Sequence, residues 1–169
     1  MGTVLAVPDD AQLQRSAAAV AELLQARGQM LVTAESCTGG WIAKTLTDLA
    51  GSSAWFEAGV VAYSYEAKEA LLGVNPRTLE RTGAVSQETV MEMVSGALAR
   101  FGAGVAVAVT GIAGPGGGTP DKPVGTVWIG WKRRGGYAHA RIFQFAGDRE
   151  AVRRQTVAEA LAGIRKILT

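Results

Sequence analysis

The sequence has little of the chemistry on which many enzymes depend. Among its 169 residues there is a single cysteine and a single histidine. One cysteine excludes an internal disulfide, and together the two residues are too few soft ligands for a zinc site built by the protein. This composition fits a reducing, cytoplasmic setting, and no metal site is predicted.

Charge of either sign is also scarce. The chain has 17 basic and 15 acidic residues, a net charge of +2, and only 19% charged residues in all. An excess this small and dispersed does not predict a nucleic-acid surface. Because 48% of the residues are apolar, a chain of 169 residues is expected to form one folded domain, residues 1–169, with a substantial core.

Long apolar runs are missing as well. The longest uncharged stretch, which includes residues 102–120, is rich in glycine and contains Pro115, so it would make a poor membrane span. Residues 1–14 show no basic segment followed by an apolar core, and no secretory signal is predicted. We therefore expect a cytoplasmic protein with no membrane partner.

What the sequence does contain is an alternation of helical and strand patterns. Apolar periodicity and capping residues predict helices from Asp9 or Asp10 to Gly28 and over 41–50, 66–72, 76–81, 87–101 and 148–168. β-branched and aromatic runs predict strands at 30–35, 56–65, 105–110, 126–131 and 137–145. The predicted fold class is α/β: a three-layer α/β/α sandwich with a mixed, mostly parallel sheet of about five to six strands.

Residues 31–40, LVTAESCTGG, join a strand pattern to a helix pattern through small polar residues and two glycines. This order places a hydroxyl at the carboxyl edge of a sheet, beside the N–H groups of a helix N-terminus. Ser36 is thus a candidate nucleophile, with the amides of Thr38, Gly39 and Gly40 holding an oxyanion. On this stretch alone, a plain helix cap is the commoner use of such residues. Cys37 ranks below Ser36 as a nucleophile, because neighbours in a turn rarely face the same pocket.

A serine nucleophile needs a base. His139 lies in a predicted strand between alanines, far from any other motif. A lysine whose pKa is lowered is the alternative, and Lys68 follows the strand that carries Tyr63 by a few residues. The Tyr63 hydroxyl is a candidate proton relay. Spacing alone still favours an exposed Lys68 and a Tyr63 that only packs.

The densest glycine and proline segment of the chain is residues 111–125, GIAGPGGGTPDKPVG. Backbone amides from Thr110, Gly111 and Gly114 can approach a phosphate closely, although a flexible surface loop is an equally good interpretation. The segment is neither a Walker sequence nor a GxGxxG turn entering a helix. Arg149, at the start of the last helix, is either a surface arginine or a phosphate ligand, and the sequence favours the surface.

Four stretches taken together resemble the CinA C-terminal domain family. They are AESCTGGWIAKTLTDLAGSSAWFEAGVVAYSYEAK, GAVSQETV, TGIAGPGGGTPDKPVGTVWIGW and GDREAVRRQ. The resemblance extends over almost the whole chain, about residues 13–167, and no motif departs from the family pattern. More narrowly, these stretches resemble the stand-alone members of the family, the PncC-type nicotinamide mononucleotide amidohydrolases.

The resemblance implies an enzyme of pyridine nucleotide salvage that converts nicotinamide mononucleotide to nicotinic acid mononucleotide and ammonia, with Ser36, Lys68 and Tyr63 at the catalytic positions. It also implies a three-layer α/β/α fold and a homo-oligomer. We expect Thr110, Gly111, Gly114 and Arg149 to hold the ribose phosphate of this small-molecule nucleotide, and no metal or organic cofactor to take part. A catalytically silent nucleotide-binding or partner-binding domain, and an amidase or esterase of different substrate range, remain the alternatives.

Overall fold

A computed structural model describes residues 6–169, which form five strands and six helices. The strands are β1 (Leu31–Glu35), β2 (Phe56–Val61), β3 (Val105–Gly111), β4 (Thr126–Arg133) and β5 (His139–Gln144). The helices are α1 (Asp10–Ala26), α2 (Trp41–Thr47), α3 (Tyr65–Leu72), α4 (Pro76–Thr82), α5 (Gln87–Arg100) and α6 (Arg149–Leu168). One turn of 3-10 helix, Ser52–Ala54, precedes β2.

Side-chain caps fix where most helices begin. The Asp9 carboxylate accepts the N–H of Gln12 at 2.8 Å and starts α1. Four further caps act in the same way on α3, α4, α5 and α6; they are Ser64, Asn75, Ser86 and Asp148. Helix α2 differs, because its N-cap is Gly40, which has a left-handed backbone conformation and no side chain.

The sheet has the strand order β2-β1-β3-β4-β5. Strand β1 pairs in parallel with β2 and β3, whereas β4 pairs antiparallel with β3 and β5. Four of the five strands therefore share one direction, and β4 runs against them. The prediction of a mixed, mostly parallel sheet is confirmed.

Helices cover the sheet on both faces. Successive side chains of β3 point to opposite faces of the sheet, and both faces are apolar. Val105, Val107 and Val109 belong to the hydrophobic cluster beneath α1, α2 and α6. Ala106 and Ala108 point the other way, into the cluster formed with α3, α4 and α5. A central strand buried on both faces has no place for a charge. The three-layer α/β/α prediction is confirmed.

The second strand is shorter than its residue pattern predicts. Strand β2 ends at Val61 and not at Tyr65, and Tyr65 is already the first residue of α3. The reason is Ser64, whose hydroxyl oxygen accepts the N–H of Ala67 at 3.0 Å and starts the helix. Tyr63 therefore lies in the connection between β2 and α3, where its main chain is free to make contacts outside the sheet.

The carboxyl ends of β2, β1 and β3 meet at one edge of the sheet, because these strands are parallel neighbours. The connections that follow them are residues 62–64, 36–40 and 112–125. Ligand sites of α/β folds form at this edge. Within residues 6–169, no helix has both the length and the apolar character needed to cross a membrane.

Candidate active site

Ser36 and Lys68 are in direct contact at the carboxyl edge. The Lys68 Nζ atom lies 2.9 Å from the Ser36 Oγ atom, although the residues are 32 positions apart. Strand pairing holds the serine, since its N–H donates to the Val109 carbonyl of β3 at 3.1 Å. Helix α3 supplies the lysine. The structure thus brings together the two residues predicted as nucleophile and base.

The Lys68 amine is buried, and its three hydrogen-bond partners are neutral. Its side chain is 1% exposed, and Nζ also donates to the carbonyls of Ala62 at 3.0 Å and Tyr63 at 2.9 Å. It forms no ion pair in the described part of the chain. Burial lowers the pKa of Lys68 from 10.5 to about 8, so a fraction of the amine is uncharged at neutral pH.

The two carbonyls also decide which way an uncharged amine faces. A neutral amine has two N–H groups and one lone pair, and a carbonyl oxygen can only accept. When Ala62 and Tyr63 take the two N–H groups, the lone pair is left for the Ser36 hydroxyl, which then donates to Nζ. This arrangement suits proton abstraction from serine.

The Tyr63 hydroxyl lies apart from this contact. It accepts a hydrogen bond from Arg149 Nη2 at 3.2 Å, and the tyrosine side chain is 59% exposed. Only the main chain of Tyr63 binds Lys68. The predicted proton relay through the hydroxyl stays a prediction, whereas the carbonyl contact gave no signal in the sequence because any residue supplies a carbonyl.

Sequence reasoning missed Glu35, the last residue of β1. Its carboxylate is 1% exposed and accepts the Thr38 hydroxyl at 2.5 Å, the Ile42 N–H at 2.9 Å and the Ala43 N–H at 3.0 Å. It thereby provides the cap that α2 lacks. Burial raises the pKa of Glu35, against the opposing effect of these hydrogen bonds. An acidic residue that ends a wholly buried strand was the available signal.

The three amides predicted to hold the oxyanion differ in whether they already have a hydrogen-bond acceptor. The N–H of Gly39 donates to the Ser36 carbonyl at 3.1 Å, and the N–H of Gly40 lies close enough to the Glu35 carboxylate to oppose the rise in its pKa. The Gly39 amide is committed to an internal acceptor, which counts against its predicted role. Positive φ angles of 61° and 102° explain why these two positions are glycine. The N–H of Thr38 has no acceptor within residues 6–169.

Arg153 of α6 is the second residue that sequence reasoning missed. Its Nε donates to the Cys37 carbonyl at 3.1 Å and its Nη2 to the Thr38 carbonyl at 3.0 Å. Cys37 itself is buried, and burial raises the pKa of its thiol to about 12. A thiol that stays protonated is a poor nucleophile, which weighs against the cysteine alternative.

The residues predicted to bind phosphate have different surroundings from one another. The Thr110 hydroxyl is buried and donates to the Ala84 carbonyl at 2.9 Å. Gly111 packs against β4 so closely that a Cβ atom would lie 2.6 Å from Val127 Cγ2. The Gly114 carbonyl accepts from Arg149 Nη1 at 2.7 Å. Of these residues, Arg149 donates to the Tyr63 hydroxyl, and Gly114 is joined to Tyr63 through Arg149.

Metal ligands do not gather in the described part of the chain. Within residues 6–169, no three side chains of histidine, cysteine, aspartate or glutamate come close enough to form an ion site. His139 is exposed on the edge strand β5.

The sequence pattern of the CinA C-terminal domain matches residues 13–168. The chain belongs to the CinA C-terminal domain family. It is 53% identical over 152 residues to the nicotinamide-nucleotide amidohydrolase PncC of Escherichia coli (strain K12), covering 90% of this chain and 92% of that protein. It is 54% identical over 148 residues to PncC of Pseudomonas putida, covering 88% and 92%.

The fold is shared with solved structures of the CinA family. The crystal structure of the competence/damage inducible protein CihA from Agrobacterium tumefaciens superposes with a TM-score of 0.90 at 43% identity. The match covers 97% of this chain and 98% of that one. The family resemblance predicted from sequence is confirmed.

All four stretches that resemble the CinA family reach the carboxyl edge in the fold. The first supplies Ser36, Tyr63 and Lys68, and the fourth supplies Arg149 and Arg153. The second and third meet where the Thr110 hydroxyl donates to the Ala84 carbonyl. The family's sequence signature is therefore concentrated around one site.

Proposed function

We propose that this chain hydrolyses the carboxamide of nicotinamide mononucleotide to nicotinic acid mononucleotide and ammonia, as a step of pyridine nucleotide salvage. The observation that carries the proposal is the 2.9 Å contact between Ser36 Oγ and a buried lysine amine with a lowered pKa. The names of the PncC relatives, nicotinamide-nucleotide amidohydrolases, support the choice of substrate.

In the first step Ser36 Oγ bonds to the amide carbon. The hydroxyl proton moves to the uncharged Lys68 Nζ, and the electron pair of the carbonyl bond moves to its oxygen. Backbone amides of the loop after Ser36 stabilise the resulting oxyanion, an effect worth about 3–4 kcal/mol per donor. The two carbonyls that hold the lysine also stabilise the ammonium that forms.

In the second step the carbon–nitrogen bond breaks. The Lys68 ammonium returns a proton to the leaving nitrogen, which departs as ammonia and leaves a nicotinoyl ester on Ser36. Water then attacks the ester carbon while Lys68 takes one of its protons. When the carbon–Oγ bond breaks, that proton returns to Ser36, and the acid product loses its own proton to water.

Arg149 is the proposed ligand of the ribose phosphate. It forms no ion pair within residues 6–169, and its guanidinium joins the Gly114 carbonyl to the Tyr63 hydroxyl. A guanidinium binds phosphate in a two-pronged manner. Because the Tyr63 hydroxyl contacts Arg149, it would lie beside the bound nucleotide, and we propose it as the proton relay.

Ammonia release from nicotinamide mononucleotide tests the proposal directly. We expect equal rates with and without EDTA, loss of activity in Ser36→Ala, and retained activity in Cys37→Ala because that thiol stays protonated. A fully active Ser36→Ala variant would exclude the nucleophile. Thermal stabilisation by the nucleotide without ammonia release, even over a long incubation, would indicate a silent binding domain in its place.

A further inference from the structure

Two side chains of opposite charge form hydrogen bonds with the loop that carries the nucleophile, one from each side. We call residues 36–40 the nucleophile loop. From inside, the Glu35 carboxylate accepts the Thr38 hydroxyl at 2.5 Å. From α6, the Arg153 guanidinium donates to the carbonyls of Cys37 at 3.1 Å and Thr38 at 3.0 Å. We call Glu35 and Arg153 the loop clamp.

The clamp determines where the peptide groups of the loop point. A trans peptide is planar, so its C=O and N–H point in opposite directions. Because Arg153 holds the Cys37 carbonyl, the Thr38 N–H of the same peptide is directed away from Arg153. The Thr38 carbonyl is held in the same way, and its partner, the Gly39 N–H, donates to the Ser36 carbonyl at 3.1 Å.

Two adjacent amides, those of Cys37 and Thr38, remain without an acceptor within the described residues. The hydrogen bond from Gly39 to Ser36 closes a tight turn, and the inner amides of such a turn have no partner within it. Those amides belong to Cys37 and Thr38, and within residues 6–169 neither donates to a backbone carbonyl or to another residue's side chain. Adjacent unpaired amides directly after a nucleophile form a concave anion site.

We propose that the loop clamp aims the Cys37 and Thr38 amides at the oxyanion, with Arg153 as a positioning residue that never touches the substrate. This rests on the proposed amidase function. It adds Cys37 as an oxyanion donor, removes Gly39, whose N–H is committed to the Ser36 carbonyl, and gives Arg153 a part in the reaction. Glu35 contributes from the opposite side, because its carbonyl also accepts the Ala62 N–H at 2.9 Å and so connects the nucleophile loop to the lysine's acceptors.

The neighbouring arginine provides a matched control. Both guanidinium groups lie over the Trp41 ring, that of Arg153 at 5.3 Å from the ring centroid and that of Arg154 at 4.8 Å. Arg154 instead pairs with Asp10 and Glu150 and makes no hydrogen bond to the nucleophile loop in the described structure. Replacing either arginine by methionine removes a similar stacked cation, but only Arg153→Met releases the loop.

The test compares kcat and KM for nicotinamide mononucleotide in Arg153→Met and Arg154→Met. Loss of one oxyanion donor lowers kcat by about 10²–10³-fold, so misaligned donors are expected to cost Arg153→Met about 10–100-fold in kcat. Its KM should change less than about twofold, because the donors act in the transition state. Arg154→Met should keep kcat within about twofold. Equal losses in both variants, or a loss confined to KM, would overturn the clamp.

A second measurement separates the clamp from the choice of substrate. A fluorophosphonate probe labels an activated serine through a phosphoryl oxygen that needs the same donors, so its rate on Ser36 should fall in Arg153→Met and not in Arg154→Met. If the wild type is labelled but releases no ammonia from the nucleotide, the proposed function fails while the labelling rates still decide the clamp. Unchanged labelling in Arg153→Met contradicts the clamp whatever the substrate.

Two further variants guard against a folding defect. Arg153→Lys keeps the charge but reaches at most one of the two carbonyls, so its kcat should lie between those of Arg153→Met and the wild type. Glu35→Gln keeps the side-chain shape but turns an amide donor toward N–H groups, and should lower kcat with KM preserved. If Arg153→Met does not fold, a wild-type kcat in Arg153→Lys together with Glu35→Gln would overturn the proposal.

Discussion

The nucleophile loop and the glycine-rich loop, residues 111–125, begin at the carboxyl ends of neighbouring strands, β1 and β3, yet they are built in different ways. In the nucleophile loop, the Glu35 carboxylate and the Arg153 guanidinium hold the chain from opposite sides, and the Ser36 hydroxyl lies against a lysine amine. At the end of β3, the Thr110 hydroxyl donates to a backbone carbonyl, and close packing requires glycine at position 111, where the glycine-rich loop begins.

The difference shows what a glycine or a charge signifies at such an edge. From the sequence, Gly111 was predicted to present its backbone to a ligand. In the structure, β4 leaves no room for a Cβ atom at this position, which explains why it is glycine. Glu35 ends a wholly buried strand, where a carboxylate is costly unless it is hydrogen-bonded, and it proves to organise the site. The buried charge was therefore the better indicator of the contacts that hold the nucleophile loop.

Removing the base should have the largest effect. Lys68→Met fills the same buried space without a proton acceptor, and we expect ammonia release to fall by about 10²–10⁴-fold, the usual contribution of a general base. The matched control is Lys166→Met, on the exposed side of α6, which should retain full activity. Initial rates at saturating nucleotide measure both. Comparable rates in the two variants would assign proton transfer to another group.

Removing the Tyr63 hydroxyl should have the next largest effect. Tyr63→Phe keeps the carbonyl that holds Lys68 and loses only the group beside Arg149. If the hydroxyl relays the proton, kcat should fall by roughly 100-fold, at the low end of general acid–base contributions. Tyr65→Phe is the control, since Tyr65 is also half-exposed and starts α3. Equal kcat values for the two variants would contradict the relay.

The pH dependence of kcat/KM in the wild type should follow the ionisation of Lys68. Because burial lowers the pKa of Lys68 to about 8 and the uncharged amine is the base, kcat/KM should fall about tenfold per pH unit below that value and level off above it. His139→Ala should leave the profile unchanged, which excludes the one histidine as the titrating group. A flat profile between pH 6 and pH 9 is incompatible with a lysine base.

The features that could be predicted from the sequence are those set by interactions between residues close together in the chain. Helix starts were predictable because Asp9, Ser86 and Asp148 act on amides within a few residues of themselves. The contact of Arg153 with Cys37 joins residues 116 positions apart, and the acceptors of Lys68 are backbone carbonyls. Neither leaves a local pattern, so the clamp and the orientation of the amine required the fold.

The buried lysine should also make stability depend on pH. With a pKa of about 8 in the folded protein and 10.5 when unfolded, Lys68 is charged in both states below pH 8, where its burial costs the full penalty. Between pH 8 and 10.5 the unfolded chain binds the extra proton, so the wild type should gain about 1.4 kcal/mol per pH unit relative to Lys68→Met. Urea unfolding of both proteins across this range measures the gain. A constant difference would mean that the lysine pKa is not lowered.

The packing explanation for Gly111 in the glycine-rich loop can be tested through stability, with a smaller expected effect than the variants above. Gly111→Ala places a Cβ atom 2.6 Å from Val127 Cγ2 and 2.9 Å from the Thr126 carbonyl oxygen, so we expect a loss of about 1–3 kcal/mol in the free energy of unfolding. Gly116→Ala is the matched control, because a Cβ atom there meets nothing within 4 Å, and it should be neutral or stabilising by up to about 1 kcal/mol. Denaturant unfolding separates the two variants. If Gly111→Ala kept its stability and lost nucleotide affinity, Gly111 would be a ligand contact after all, and the two loops would be more alike than their packing indicates.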